Sequence, residues 1–296
     1  MQKHDIIDCH HHLWDLKQDN HPWLLDKPKE IWIGDYSDLC VDFLVPDFKA
    51  ATAKTNIIKS VHIQALTQDP LQETAWLQQQ SEQWGLPNAI VFYADLSASN
   101  IENVIVQHKA YQNVRGIRQI INEHPDPRFN MCPQAGLMQN EQWLKGFSLL
   151  EQYQLSFDLQ CYDYQLPQAS LIAAQYPNTR IILNHMGMPI KRDPESLNHW
   201  RNYLTEFASH NNTAIKLSGL AMLNHPMDRA ISQTMVQDAI SIFGWQRVVF
   251  ASNFPVDSLF HHYDDWFDLV LEATAHLSDL ERQAIWQHNA EHLYRI

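Results

Sequence analysis

Eight short runs of β-branched, aromatic and other apolar residues recur along the 296-residue chain, at 6–9, 58–65, 89–94, 114–121, 155–161, 180–184, 213–217 and 246–251. Several are apolar at nearly every position, as in Ile181-Ile182-Leu183 and Val248-Val249-Phe250. A parallel strand buried on both faces reads this way. Between the runs lie stretches of helical period, such as Trp143, Phe147 and Leu150, or Trp200, Tyr203, Leu204 and Phe207, each giving one apolar stripe. Ser99-Asn100-Ile101-Glu102 and Ser278-Asp279-Leu280-Glu281 both fit the capping box that opens a helix. Strand and helix alternating eight times predict an α/β fold, the (β/α)8 or TIM barrel, as one domain over 1–296. No Gly-rich turn follows the first run, so the dinucleotide-binding fingerprint is absent.

Composition narrows the partners. Against 21 basic residues stand 34 acidic ones, a formal charge of −13, so nucleic acid and anionic membranes are repelled on average. A small molecule is the expected substrate, and an anionic one needs arginines placed locally. Cys9, Cys40, Cys132 and Cys161 form no C-x-x-C pair, which points to reduced thiols in a cytoplasmic protein. No apolar leader or membrane-length run is present, and a homo-oligomer stays open.

The chemistry gathers at predicted strand ends. In Asp8-Cys9-His10-His11-His12-Leu13-Trp14, strict alternation puts Asp8, His10 and His12 on one face, and Cys9, His11 and Leu13 on the other. In a barrel of this type the C-terminal strand ends build the active site, and His185 also follows a strand, directly after Ile181-Ile182-Leu183-Asn184. Three imidazoles converging there polarise a carbonyl or bind a cation. The longest connection, from Trp14 to about Asp47, holds Trp23 and Trp32 and reads as a lid or pocket wall. Trp14, Trp23 and Trp32 are candidates to line an apolar pocket, while His108, His261, His262 and His288 read mostly as surface residues.

Asp8-x-His10-x-His12-x-Trp14, Pro22-Trp23-Leu24, Gly116-Ile117-Arg118, Asn184-His185-Met186-Gly187, Lys216-Leu217-Ser218-Gly219 and Ser252-Asn253-Phe254-Pro255-Val256 follow one another along nearly the whole chain. In that order they resemble amidohydrolase family 2, most of all its branch of sugar-acid and 2-pyrone-4,6-dicarboxylate lactonases. The resemblance implies a hydrolase that opens a lactone or related cyclic ester of a carboxylated or sugar-acid substrate. His10, His12 and His185 would polarise the carbonyl or hold one divalent ion, zinc or manganese, with a metal-independent site as the other reading. Arg118 would face a substrate carboxylate, with Trp14, Trp23 and Ser218 as further substrate contacts. Arg115 and Arg128 are weaker anion-binding candidates and read rather as solvated rim arginines.

The chain departs from the family pattern at the eighth strand, where Asn253 stands in place of the usual Asp. An amide cannot take a proton from water. Asp257, His62 or a metal-bound hydroxide are the candidate bases, with Asn253 orienting the water. The strand-five run Phe157-Asp158-Leu159-Gln160-Cys161-Tyr162 has no histidine, which favours a lactonase over a metal-dependent decarboxylase of the same barrel. A barrel that only binds its ligand is the third reading.

Overall fold

The structure is a computed structural model that describes residues 5–26 and 32–296. The first four residues and the 27–31 stretch of the long first connection lie outside the described residues. One eight-stranded parallel sheet runs in sequence order through β1 (Asp5–His11), β2 (Asn56–Ile63), β3 (Ala89–Phe92), β4 (Val114–Ile120), β5 (Ser156–Gln160), β6 (Ile181–Leu183), β7 (Thr213–Leu217) and β8 (Val248–Phe250). Every run expected from the sequence is a strand. Closure between β8 and β1 is made just beyond the strand ends, where Asn253 N–H donates to the His10 carbonyl and His12 N–H to the Phe254 carbonyl, each at 2.7 Å. The result is the expected (β/α)8 barrel.

Two apolar layers explain why these runs are strands. Ile7, Cys9, Val61, Ile63, Val91, Ile182 and Val249 fill the barrel interior, where Tyr294 of the C-terminal helix Asn289–Tyr294 joins them. Ile6, Ile90, Phe92, Phe157 and Phe250 alternate outward against the helices, among them Glu141–Gln152, Pro194–Ala208 and Tyr263–Ala273. Both faces are apolar because both are covered. Gly146 shows how close the helical layer comes: a Cβ there would sit 1.9 Å from the Leu96 carbonyl oxygen. A glycine inside a helix costs about 0.5–1 kcal/mol relative to alanine, and here it admits that approach.

Three sequence expectations need correction. Ser278 and Glu281 do form the capping box of Asp279–Gln283, but the helix Ile101–Lys109 has Asn100 at its N-cap and no side-chain cap bond. Glu102 is drawn away from that box, accepting from Tyr153 OH at 2.8 Å. His108 is no surface residue, since its ring stacks on Phe92 and bonds Thr74 Oγ1 at 2.9 Å. Strict alternation also fails in β1. Asp8 pairs with Ser60 and His11 with His62, so β1 spends one residue more than its partner there. That β-bulge shifts the parity of everything after it.

Candidate active site

The bulge decides what each residue at the end of β1 does. Asp8 is turned out of the barrel, where its carboxylate accepts from His10 N–H (3.1 Å), Ser252 N–H (3.0 Å) and Tyr263 OH (3.3 Å). It fastens the bulge to the segment after β8, and burial lifts its pKa to about 6. Cys9 faces the barrel interior, not the side expected from alternation. His11 points outward, stacked on Phe48 and 2.9 Å from Ser60 Oγ. His10 and His12 turn into the mouth. The rings of His12 and His185 lie 5.1 and 4.5 Å from that of His10, so the three imidazoles meet at one place.

Each ring is fixed by its Nδ1. His12 Nδ1 lies 2.7 Å from the Ile63 carbonyl, which only accepts, so the proton sits on Nδ1 and Nε2 presents a lone pair. Lys216 Nζ reaches His10 Nδ1 at 3.4 Å. An ammonium only donates, so the neutral His10 ring carries its proton on Nε2, a buried atom with no protein partner. His185 Nδ1 bonds Ser218 Oγ at 3.0 Å. His185 also holds a left-handed φ of 52°, and the ring is seated over Gly219, where a Cβ would come within 2.5 Å of Nδ1. Backbone strain of this kind is stored where surrounding structure over-determines it. Burial drives all three imidazoles well below their ordinary pKa, reinforced by Lys216 at His10 and by Arg118 at His12 and His185. They are neutral at pH 7.

Beneath them lies an ion pair that sequence reasoning did not single out, and beside them the expected Arg118. Lys216 on β7 forms a fully buried ion pair with Asp158 on β5, and Tyr294 OH donates to the same carboxylate at 3.0 Å. Both residues interrupt otherwise apolar runs, the signal that could have exposed them. Arg118 on β4 donates to Gln160 Oε1 at 2.8 Å and to the Gln64 carbonyl, while its Nε has no partner. Burial lowers its pKa only to about 10, so it stays charged. The nearby Glu73 carboxyl, accepting from Ala65 N–H at 2.8 Å, is pushed up to about 8 by burial and is neutral at pH 7. Among the described residues Arg118 makes no ion pair, and with Asp158 bonded to Lys216 and Glu73 neutral the group carries one positive charge in excess. An anion is what it lacks.

After β8 the chain turns through Asn253, at a left-handed φ of 60°. Asn253 Nδ2 donates to Asp257 Oδ1 at 2.7 Å and approaches Met222 Sδ at 3.2 Å, which aims Oδ1 at His12 Nε2, 3.3 Å away. Asp257 is fully buried behind Asn253, its other oxygen 3.6 Å from His261 Nε2. It does not line the cavity, so as a base candidate it is replaced by a role in orienting the amide. His261, expected on the surface, is buried against it.

His12, His185, Arg118, Asn253 and Gln160 form the polar floor of a cavity of about 80 Å³. Trp14, Trp23 and Trp32 join its wall, as the sequence suggested. Ser218 does not line it but stands behind His185, and His62 lies behind His12, its Nε2 on the Leu13 carbonyl. Arg115 bonds backbone carbonyls of Gln112, Val114 and Arg295 at the opposite end of the barrel. Arg128 pairs with Asp126 at a wider outer vestibule of about 800 Å³.

Residues 7–296 match the family described as amidohydrolase. The chain belongs to the amidohydrolase family. It is 37% identical to the uncharacterized protein y4mH of Sinorhizobium fredii over 98% of both chains. It is 26% identical to an L-fucono-1,5-lactonase of Burkholderia multivorans, over 98% of this chain and 96% of that one. Its fold matches a Burkholderia multivorans amidohydrolase crystallised with bound zinc, at a TM-score of 0.83 and 24% identity, covering 99% and 100% of the two chains.

Amidohydrolases are usually metal-dependent, a chemistry that needs several side chains with lone pairs free to ligate an ion. Among the described residues, no three His, Cys, Asp or Glu side chains are grouped to hold a metal ion. The cause is visible in the partners. Lys216 makes His10 Nε2 a donor, Asp158 is bound to Lys216, and Asp257 is turned onto Asn253 and His261. The lone pair fixed on His12 and one on His185 fall short of the three protein ligands of a catalytic zinc. This amidohydrolase therefore does not present the expected His10, His12 and His185 ligand trio.

Proposed function

We propose that this amidohydrolase opens a carboxylated lactone with water, and that His12 is the general base. The observation that carries the reading is the pair His12 Nε2 and Asn253 Oδ1, two acceptors 3.3 Å apart at the cavity floor. A water there donates one hydrogen to each, which both orients its lone pair and gives its proton a destination. Asn253 thus orients and His12 deprotonates. The substrate carboxylate seats on Arg118 and neutralises the charge that, after burial, most depresses His12. Binding the correct substrate strengthens the base.

Water then attacks the carbonyl carbon as its proton passes to His12 Nε2. The oxyanion is stabilised by His185, which donates from Nε2 when Ser218 donates to Nδ1. Collapse breaks the ring C–O bond, and His12 returns its proton to the leaving oxygen, giving a hydroxy acid. Similarity to an L-fucono-1,5-lactonase supports the bond type. A decarboxylase reading finds no free acid on β5, because Asp158 is committed to Lys216.

The test is hydrolysis of a lactone panel followed by acid release, with chelator-treated enzyme alongside and metal content measured. Turnover that survives chelation and disappears in His12→Gln supports the proposal. No ring opening across carboxylated and sugar-acid lactones overturns it, and activity lost to chelator and restored by zinc or manganese moves the base onto a metal.

A further inference from the structure

We infer that the lactone taken by this cavity has a hydrocarbon body bearing one carboxylate, and is not a polyhydroxylated sugar lactone. The inference rests on the hydrolase reading of the same cavity and concerns what its wall recognises. Trp14 Nε1 donates to the Val41 carbonyl at 2.7 Å and Trp23 Nε1 to the Ala65 carbonyl at 2.9 Å. Both indole N–H groups are thereby spent on backbone, and what remains of these walls is aromatic carbon. Ile33, Met131, Met222 and Val256 continue the lining with hydrocarbon and thioether. Met222 Sδ is itself engaged by Asn253 Nδ2.

The polar groups of the floor are few and already allotted. His12 Nε2 and Asn253 Oδ1 face the water, His185 and Arg118 face the carbonyl and carboxylate, and Gln160 has given its Oε1 to Arg118. Each sugar hydroxyl brings one donor and two acceptor sites to be satisfied. A sugar lactone has several, on both faces of its ring, and among the described side chains of the floor the amide end of Gln160 is what is left to meet them. A buried polar group without a partner costs binding energy, whereas a flat or saturated hydrocarbon ring gains from indole and methionine contact. The single uncompensated guanidinium sets the number of carboxylates at one, since Arg128 outside is paired with Asp126.

The experiment compares a δ-valerolactone carrying one ring carboxylate, its methyl ester, and L-fucono-1,5-lactone as substrates. Calorimetry with the matching non-hydrolysable ring ethers, bare and trihydroxylated, runs in parallel. We expect kcat/KM for the carboxylated hydrocarbon lactone to exceed that for the sugar lactone by about 100-fold, the size of discrimination an apolar pocket achieves against added hydroxyls. The methyl ester falls behind its acid. Met131→Gln, which gives the wall a donor and an acceptor at a half-buried position, narrows the ratio about tenfold. Equal or better turnover of the sugar lactone overturns the inference while leaving the hydrolase intact. An unchanged ratio in folded Met131→Gln also overturns it. If the bare ring ether binds at least tenfold more tightly than its hydroxylated partner and no lactone is opened, the recognition stands and the hydrolase reading falls.

Discussion

The floor of the cavity comes from strand ends, with His12 from β1, Arg118 from β4, His185 after β6 and Asn253 after β8, and each is tied by a hydrogen bond to the neighbouring strand or its exit or, for Asn253, to its own loop. The wall comes from the loops, with Trp14 and Trp23 in the first connection, Met131 after β4 and Met222 after β7. Floor residues are over-determined: the His12 tautomer, the Asn253 amide orientation and the Arg118 charge follow from fixed neighbours. Wall residues present mainly side-chain carbon, although Met222 also touches the floor through Asn253 Nδ2. Reaction type therefore belongs to the barrel and substrate choice to the loops, a division the following substitutions strain in turn.

The largest effect is expected beneath the floor. Lys216→Met leaves Asp158 as a buried carboxylate without its cation, and breaking a pair of this kind costs about 3–5 kcal/mol. Denaturant unfolding reads the loss, and the double variant Lys216→Met/Asp158→Leu recovers most of it without recovering activity. A double variant as active as the parent would show that the floor does not depend on its support. Next, His12→Gln is expected to lower kcat about 10³-fold, within the span of a removed general base. A fall under tenfold, about the effect expected of the wall change at Met131, would erase the distinction between floor and wall.

Arg118→Met is expected to reduce kcat/KM for the carboxylated lactone about 100-fold while sparing the methyl ester, because one charge-assisted pair is lost. It also lifts the charge that depresses His12, so the acid limb of the kcat/KM profile moves to higher pH. An unmoved limb would separate anion binding from the base. The effect that is smallest at neutral pH is one of pH on stability. His11, buried with its pKa near 3, stays neutral in the fold while its unfolded form takes up a proton below about 6.5. Its contribution is complete above that pH and is lost as pH falls toward 3, at up to about 1.4 kcal/mol per pH unit. His11→Gln should flatten the acid side of the unfolding curve by that slope, and a parallel curve would show that His11 is not the group responsible.

The sequence exposed the barrel because strands covered on both faces announce themselves as apolar runs, and it brought out His10, His12 and His185 because each follows such a run. It could not reveal the β1 bulge, since parity arguments assume regular pairing and the extra residue is seen only against Ser60 and His62. Nor could it fix tautomers. Lys216 and His10 are 206 positions apart, and only folding puts the ammonium against the ring. Asp257 was a plausible base by proximity along the chain, yet a buried turn placed it behind Asn253.

On the proposed lactone hydrolysis, the single guanidinium at the cavity floor of a protein of net charge −13 has a consequence for how each cycle finishes. Ring opening turns a monoanion into a dianion, and only one of its two carboxylates has a seat. The second is left among neutral imidazoles and indole carbon, inside a molecule whose long-range field repels it. The ring-opened acid is thus ejected by the electrostatics that its own formation creates, leaving the cavity ready for the next ester.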